Sequence, residues 1–167
     1  MIFQFLHIDM FHLMILSGII AFVTPIVLQL LSKRINDKAK LFLLCAYFII
    51  ILYFTILSKS IHDEGMLRLT PLWSYAKFGQ ADIRWQVYMN VFLYIPFGYF
   101  LPYSSKRTFL QTFLIGLCLS LTTETLQYIF ALGLCETDDV IHNTLGCIIG
   151  YWYWFAMEKL RERRHKE

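Results

Sequence analysis

Between Leu41 and Leu57 the chain reads LFLLCAYFIIILYFTIL, seventeen residues without a charge. As a helix, such a run has no polar face to turn toward water. Its length would be about 26 Å, close to the minimum for crossing a bilayer. It is one of five apolar blocks: Met10–Leu31, Leu41–Leu57, Val87–Leu101, Thr108–Leu132 and Val140–Met157. Charges gather between the blocks rather than along them, and only 16% of the 167 residues are charged, where ordinary globular domains sit near one quarter. The pattern predicts an all-α fold, a polytopic transmembrane helical bundle of about five spans, built as a single domain over 1–167. A soluble, core-heavy helical domain fits poorly, because several blocks lack a continuous polar face. The third block is the shortest, and Pro96 and Gly98 interrupt it, so a re-entrant segment is its alternative to a span.

Basic residues orient the chain. Lys33, Arg34, Lys38 and Lys40 follow block one, Lys106 and Arg107 precede block four, and Lys159, Arg161, Arg163, Arg164 and Lys166 follow block five. The first twelve residues carry no Lys or Arg, so block one is expected to be a retained helix rather than a signal peptide. The positive-inside rule then predicts a multi-pass protein of the cytoplasmic membrane, N-terminus outside and C-terminus cytoplasmic. The formal net charge of +3 is accounted for by this placement and implies no nucleic-acid partner. Cys45, Cys118, Cys135 and Cys147 show no CxxC spacing, so neither a disulfide framework nor a zinc site is indicated. Cys45, Cys118 and Cys147 fall inside apolar blocks and read as small fillers.

Polar residues inside such a chain need a reason. Glu124 and Gln127 share one face of block four. A glutamate in hydrocarbon must be protonated, paired or turned to a wet cavity. It serves either as an anchor between helices or as a proton-handling group, and it is expected to face Asn143 or Asn90. Asp138 reads as the N-cap of the fifth helix. Asp139, His142 and Asn143 stand at i, i+3 and i+4, so they can share a side. Glu136, Asp139 and His142 are weak metal-ligand candidates; no cofactor is implied. Asn143, Gly146 and Gly150 continue as a stripe, and GCIIG is a G-x-x-x-G that permits close helix packing. The linker MLRLTPLWSYAKFGQADIRWQ alternates apolar side chains with Arg68, Lys77 and Arg84. It is expected to lie along the outer interface between spans two and three, above the polar cluster.

The fragments RLTPLWSY, NVFLYIPFGYFLP, SLTTETLQ and ETDDVIHNTLGCIIGY stand in order between Arg68 and Tyr151. In them the chain resembles the VanZ-like family of small bacterial membrane proteins. The resemblance implies site positions at Pro71, Asn90, Pro96, Gly98, Glu124, Gln127, Asp138, Asp139, Asn143, Gly146 and Gly150. Many relatives carry an arginine in the turn after the glutamate helix. Here that turn, ALGLCETDD, has none, and Arg68 or Arg84 would have to meet an anionic group instead. Because the namesake is linked to teicoplanin resistance, the resemblance implies an envelope protein that binds or excludes an amphiphile at the outer leaflet. Its expected partners are membrane lipids and an amphiphilic antibiotic or lipid-linked envelope component. The competing expectation is an enzyme acting on a lipid-linked substrate through Glu124, Asp138 and Asp139. The sequence favours the non-enzymatic reading, because it shows no nucleophile–base set.

Overall fold

The computed structural model describes residues 36–57 and 65–164, together with the isolated helical positions Ile19, Val23 and Val27. Apart from those three positions, the block Met10–Leu31 lies outside the described residues. The fold is all-α, with one short strand pairing. In chain order it comprises α1 (Asp37–Leu52), continued by a π-helical turn (Tyr53–Leu57), β1 (Met66–Arg68), α2 (Trp73–Ala76), α3 (Ala81–Ser105), α4 (Phe109–Ile129), β2 (Leu134–Glu136) and α5 (Thr137–Arg164).

Local signals start the helices. The Asn36 side chain accepts from Ala39 N at 2.8 Å, capping α1. Thr108 and Gln111 form a reciprocal capping box at the start of α4. At the other end of α4 the chain turns through Ala131 in the left-handed region, and Leu132 N returns to the Gln127 carbonyl at 2.8 Å.

α3 is the central element. It runs unbroken through Pro96 and Pro102 for 25 residues, so the expected interruption at Pro96 and Gly98 is corrected. Each proline removes a helical N–H bond. Both prolines are buried, and the neighbouring helices hold the segment straight enough to continue. Gly98 lies directly on the backbone of Cys147, Gly146 on the Val91 carbonyl, and Gly150 on the Ile95 carbonyl. These contacts set α3 and α5 side by side and running in the same direction. α1 and α4 run the opposite way. Tyr47 of α1 donates to Leu93 O at 2.9 Å, while Lys40 lies over the Tyr103 ring. Along α4, Ser120 meets Asn143, and Phe109 meets Tyr151. The core is aromatic, with Tyr47, Tyr94, Phe97, Tyr99 and Phe100 around a fully buried Cys147. Cys147 is a filler in the sense expected, whereas Cys45 and Cys118 are exposed on the outside of the bundle.

Among the described residues two helices, Asp37–Leu57 and Phe109–Ile129, are long and apolar enough to cross a membrane. α3 and α5 are longer, but polar and charged residues interrupt their apolar composition.

At its beginning the linker is held by a strand pairing. Met66–Arg68 pairs in parallel with Leu134–Glu136, with Arg68 opposite Glu136. An extended run beside a turn thereby satisfies backbone groups that a floating segment would leave to solvent.

Candidate functional site

The parallel course of α3 and α5 carries a ladder of polar residues toward one end of the bundle. Gln86 on α3 donates to Asp139 on α5 at 3.3 Å. One helical turn further along, Asn90 and Asn143 occupy the corresponding positions. The Asn143 amide nitrogen donates across to Ser120 Oγ of α4 at 3.0 Å. Tyr94 and Thr123 share a hydrogen bond of 3.2 Å between α3 and α4. Glu124 is 3% exposed, and its Oε2 accepts from Glu136 N at 3.1 Å. That bond ties α4 to β2 and was not foreseen in the expectation that Glu124 faces Asn143 or Asn90. Gln127 is buried one turn along the same face.

Glu136 is the hub. Its Oε1 meets Arg68 Nη1 at 3.3 Å, and its Oε2 accepts from Trp73 Nε1 at 3.1 Å and from Gln86 Nε2 at 3.3 Å. The Arg68 guanidinium lies 4.0 Å from the Trp73 ring centroid, a cation–π stack that fixes its plane. Arg68 thus stands beside the arginine-free turn, delivered by the strand pairing. Arg84 instead donates to Phe78 O and Gly79 O and closes the turn before α3.

Asp138 is not the N-cap of α5, which begins one residue earlier at Thr137. Its carboxylate is turned toward the linker, accepting from Leu72 N, from Ser74 N at 2.9 Å and from Ser74 Oγ at 2.6 Å. Leu72 sits in the left-handed region, a conformation that costs a non-glycine residue about 1–3 kcal/mol. Asp138 compensates by satisfying that residue's amide. His142 is fully enclosed, with Nε2 3.2 Å from the Tyr75 hydroxyl.

The metal reading of Glu136, Asp139 and His142 is corrected. Among the described residues no three His, Cys, Asp or Glu side chains are gathered to hold a metal ion. Glu136 turns to Arg68, Trp73 and Gln86, while His142 turns to Tyr75.

The structure therefore brings Arg68, Asn90, Glu124, Gln127, Asp138, Asp139, His142 and Asn143 to one end. Pro96, Gly98 and Gly150 lie further along the bundle in helix packing, with Gly146 between. Sequence reasoning missed Gln86, Ser120, Trp73, Ser74 and Tyr75. Two of these carried a signal. Gln86 stands four residues before Asn90, and Ser120 four before Glu124, so each extends a polar face already recognised.

Burial, the largest influence, lifts the Glu136 carboxyl above the ordinary glutamate range, and the Arg68 charge beside it pulls it back down. Burial likewise raises the neighbouring Cys135 thiol. For a carboxyl raised in the fold, the linked stability is full below the ordinary glutamate pKa and fades as pH rises through the folded value. Replacing Arg68 with methionine should therefore raise the Glu136 pKa further. It should lower the unfolding free energy more at pH 8 than at pH 4, by about 1 kcal/mol after solvent screening of the half-exposed guanidinium. Infrared difference titration of the carboxyl, with melting curves at both pH values, checks both statements. An equal loss at both pH values would rule out the charge pairing as the cause.

An all-α bundle with two membrane-competent helices among the described residues, and a buried polar cluster at one end, defines the class: a helical protein compatible with the membrane. A family model described as VanZ/LLP1 matches residues 39–158. Over 100 residues the chain is 38% identical to protein VanZ of Enterococcus faecium, covering 59% of this chain and 58% of that relative. The match thus spans little more than half of the relative's length. No solved structure matches the chain significantly. The chain belongs to the VanZ/LLP1 family, which ties it to a VanZ-like role in the bacterial cell envelope.

Proposed function

We propose that this protein is a non-enzymatic component of the cytoplasmic membrane that engages an amphiphile at the outer leaflet. In this reading it contributes to resistance against lipid-tailed glycopeptides of the teicoplanin kind. The observation that carries the reading is the makeup of the clasped linker. Met66, Leu67, Leu69 and Leu72 are each more than half exposed around Arg68, which the Glu136–Trp73 contacts hold in place. Exposed apolar side chains beside a fixed cation suit an acyl chain with a polar or anionic head. The acids behind them serve as anchors: Asp138 holds linker amides, Glu136 holds Arg68 and Trp73, and Glu124 holds a backbone N–H. This commitment supports binding over catalysis, and an enzyme acting through Glu124, Asp138 and Asp139 is the alternative the experiments address.

The reading includes five spans, the N-terminus outside and the C-terminus cytoplasmic. The opposed directions of α1 and α4 against α3 and α5 support this, as does the gathering of basic residues at the end away from the polar cluster. Reporter fusions after Lys38, Lys77, Lys106, Glu136 and Lys166 should read inside, outside, inside, outside, inside. A cytoplasmic signal at Lys77 or Glu136 would overturn the outer-leaflet placement.

The functional test compares teicoplanin with vancomycin on cells expressing equal amounts of each variant. Wild type should protect more strongly against the lipid-tailed drug. Glu124→Gln keeps hydrogen-bonding capacity and should retain protection if Glu124 is an anchor, whereas Glu124→Ala should lower abundance. Loss of protection by Glu124→Gln at normal abundance would favour a charge-dependent or catalytic role, to be sought as lipid turnover by the purified protein. Equal protection against both drugs would remove tail recognition, and protection against neither would remove resistance from this protein's function.

A further inference from the structure

The cation of the clasped linker is only half used. Arg68 meets Glu136 Oε1 through Nη1 alone, at 3.3 Å. Among the described residues its Nε and Nη2 make no hydrogen bond. Those two nitrogens carry parallel N–H bonds along one edge of the guanidinium, and that edge matches two oxygens of a single oxyanion. The Arg68 side chain is 40% exposed, whereas that of Glu136 is 3% exposed.

Glu136 is not free to fill the open edge itself. Its second oxygen accepts from Trp73 Nε1 at 3.1 Å and from Gln86 Nε2 at 3.3 Å. Turning that oxygen toward Arg68 would strip both donors of their acceptor. Trp73 also covers one face of the guanidinium, with its ring centroid 4.0 Å from Arg68 Cζ. The strand pairing sets Arg68 opposite Glu136. One face and one nitrogen are therefore fixed by the protein, which lowers the ordering cost of binding at the remaining edge. Around Arg68 in the chain, Met66, Leu67, Leu69 and Leu72 are each more than half exposed.

The geometry points to Arg68 as the residue that selects the head group of the amphiphile. It takes a singly charged oxyanion, a phosphodiester or a carboxylate, side-on through Nε and Nη2. The assignment rests on the amphiphile reading of the linker and names the charge and shape of the head that this site accepts. A neutral polyol or a quaternary ammonium would leave the fork unfilled. A second negative charge is disfavoured, because Glu136 stands on the adjoining nitrogen.

The test uses the full chain purified in a neutral detergent. Lysophosphatidylglycerol, a fatty acid and a monoacylglycerol of one chain length are offered, and bound amphiphile is read by native mass spectrometry. The two oxyanions should be retained at least about tenfold better than the monoacylglycerol, the contribution of a charge-assisted hydrogen-bonded fork. Arg68→Lys keeps the charge but loses the fork and the planar stack, and should cut that preference at least about fivefold. Glu136→Gln removes the opposing charge and should raise retention of the oxyanions about threefold, leaving the monoacylglycerol unchanged. A purely structural Arg68–Glu136 pair would produce no such gain. Should Glu136→Gln melt early in detergent alone, Arg68→Lys decides in its place. Glycerophosphoglycerol, the same phosphodiester without a chain, should not displace lysophosphatidylglycerol at equal concentration. Equal retention of the three amphiphiles, or an undiminished preference in Arg68→Lys, would overturn the head-group assignment and leave the amphiphile reading standing. Retention of none of them, or displacement by the chainless phosphodiester, would overturn both.

Discussion

Replacing Asp138 with alanine is expected to release the linker from the bundle. Asp138 is 1% exposed and accepts two backbone N–H bonds and one hydroxyl bond from Leu72 and Ser74. Bonds to a charged acceptor contribute about 1.5–3 kcal/mol each, and donors left buried without partners add their own desolvation cost. A net loss of about 3–5 kcal/mol follows once the freed segment regains conformational entropy. Asp138→Asn keeps one acceptor oxygen and should lose roughly half as much. Limited trypsin cleavage after Arg68 and Lys77 reports the release directly, and melting temperature reports the cost. If the alanine variant resists trypsin as well as wild type does, Asp138 does not hold the linker.

The second large effect is expected at Gly150. Alanine there would gain about 1 kcal/mol of helix propensity, so the sign depends on what the new methyl meets. A Cβ would overlap the Ile95 carbonyl and crowd the Tyr99 amide. These are backbone atoms of the most buried helix, and they cannot rotate aside as a side-chain tip would. Overpacking costs about 1–3 kcal/mol where a core can adjust, so Gly150→Ala should destabilise despite its propensity gain. Gly150→Val should exceed that range and separate α3 from α5. Gly79 supplies the control, since nothing lies within 4 Å of a Cβ added there. Gly79→Ala should stay within about 0.5 kcal/mol of wild type. Melting curves of the three variants in one detergent settle the order, and a neutral Gly150→Val would refute the close approach.

The helices were legible because uncharged blocks leave few other choices. Four blocks correspond to α1, α3, α4 and α5, with α3 and α5 extended at both ends. Their extra turns are polar and charged, which a reading based on apolar runs stops short of. Pro96 misled for a related reason: its local penalty is real, but the surrounding helices override it. The polar cluster was readable as residues sharing a depth, since Glu124, Asp139 and Asn143 stand near the ends of their blocks. Its wiring was not readable. Hydrogen bonds such as Glu136 N to Glu124, or Ser74 to Asp138, join positions far apart in the chain. No periodicity encodes such pairs. The β1–β2 pairing was hidden because three-residue strands carry too little alternation to stand out from a loop.

The distance along the chain between the linker and its clasp has a consequence for biogenesis. Ser74 is bonded to a residue 64 positions later. At about 5–20 residues per second, a ribosome takes about 3–13 s to deliver Asp138 after Ser74. During that interval Leu67, Leu69, Leu72 and Trp73 have emerged while their anchor is still unmade. α3 and α4 are both complete before α5 arrives to secure the linker. Assembly of the candidate site thus waits on residues made long after the linker, and a chain truncated before Asp138 would leave an oily, basic strap without its anchor.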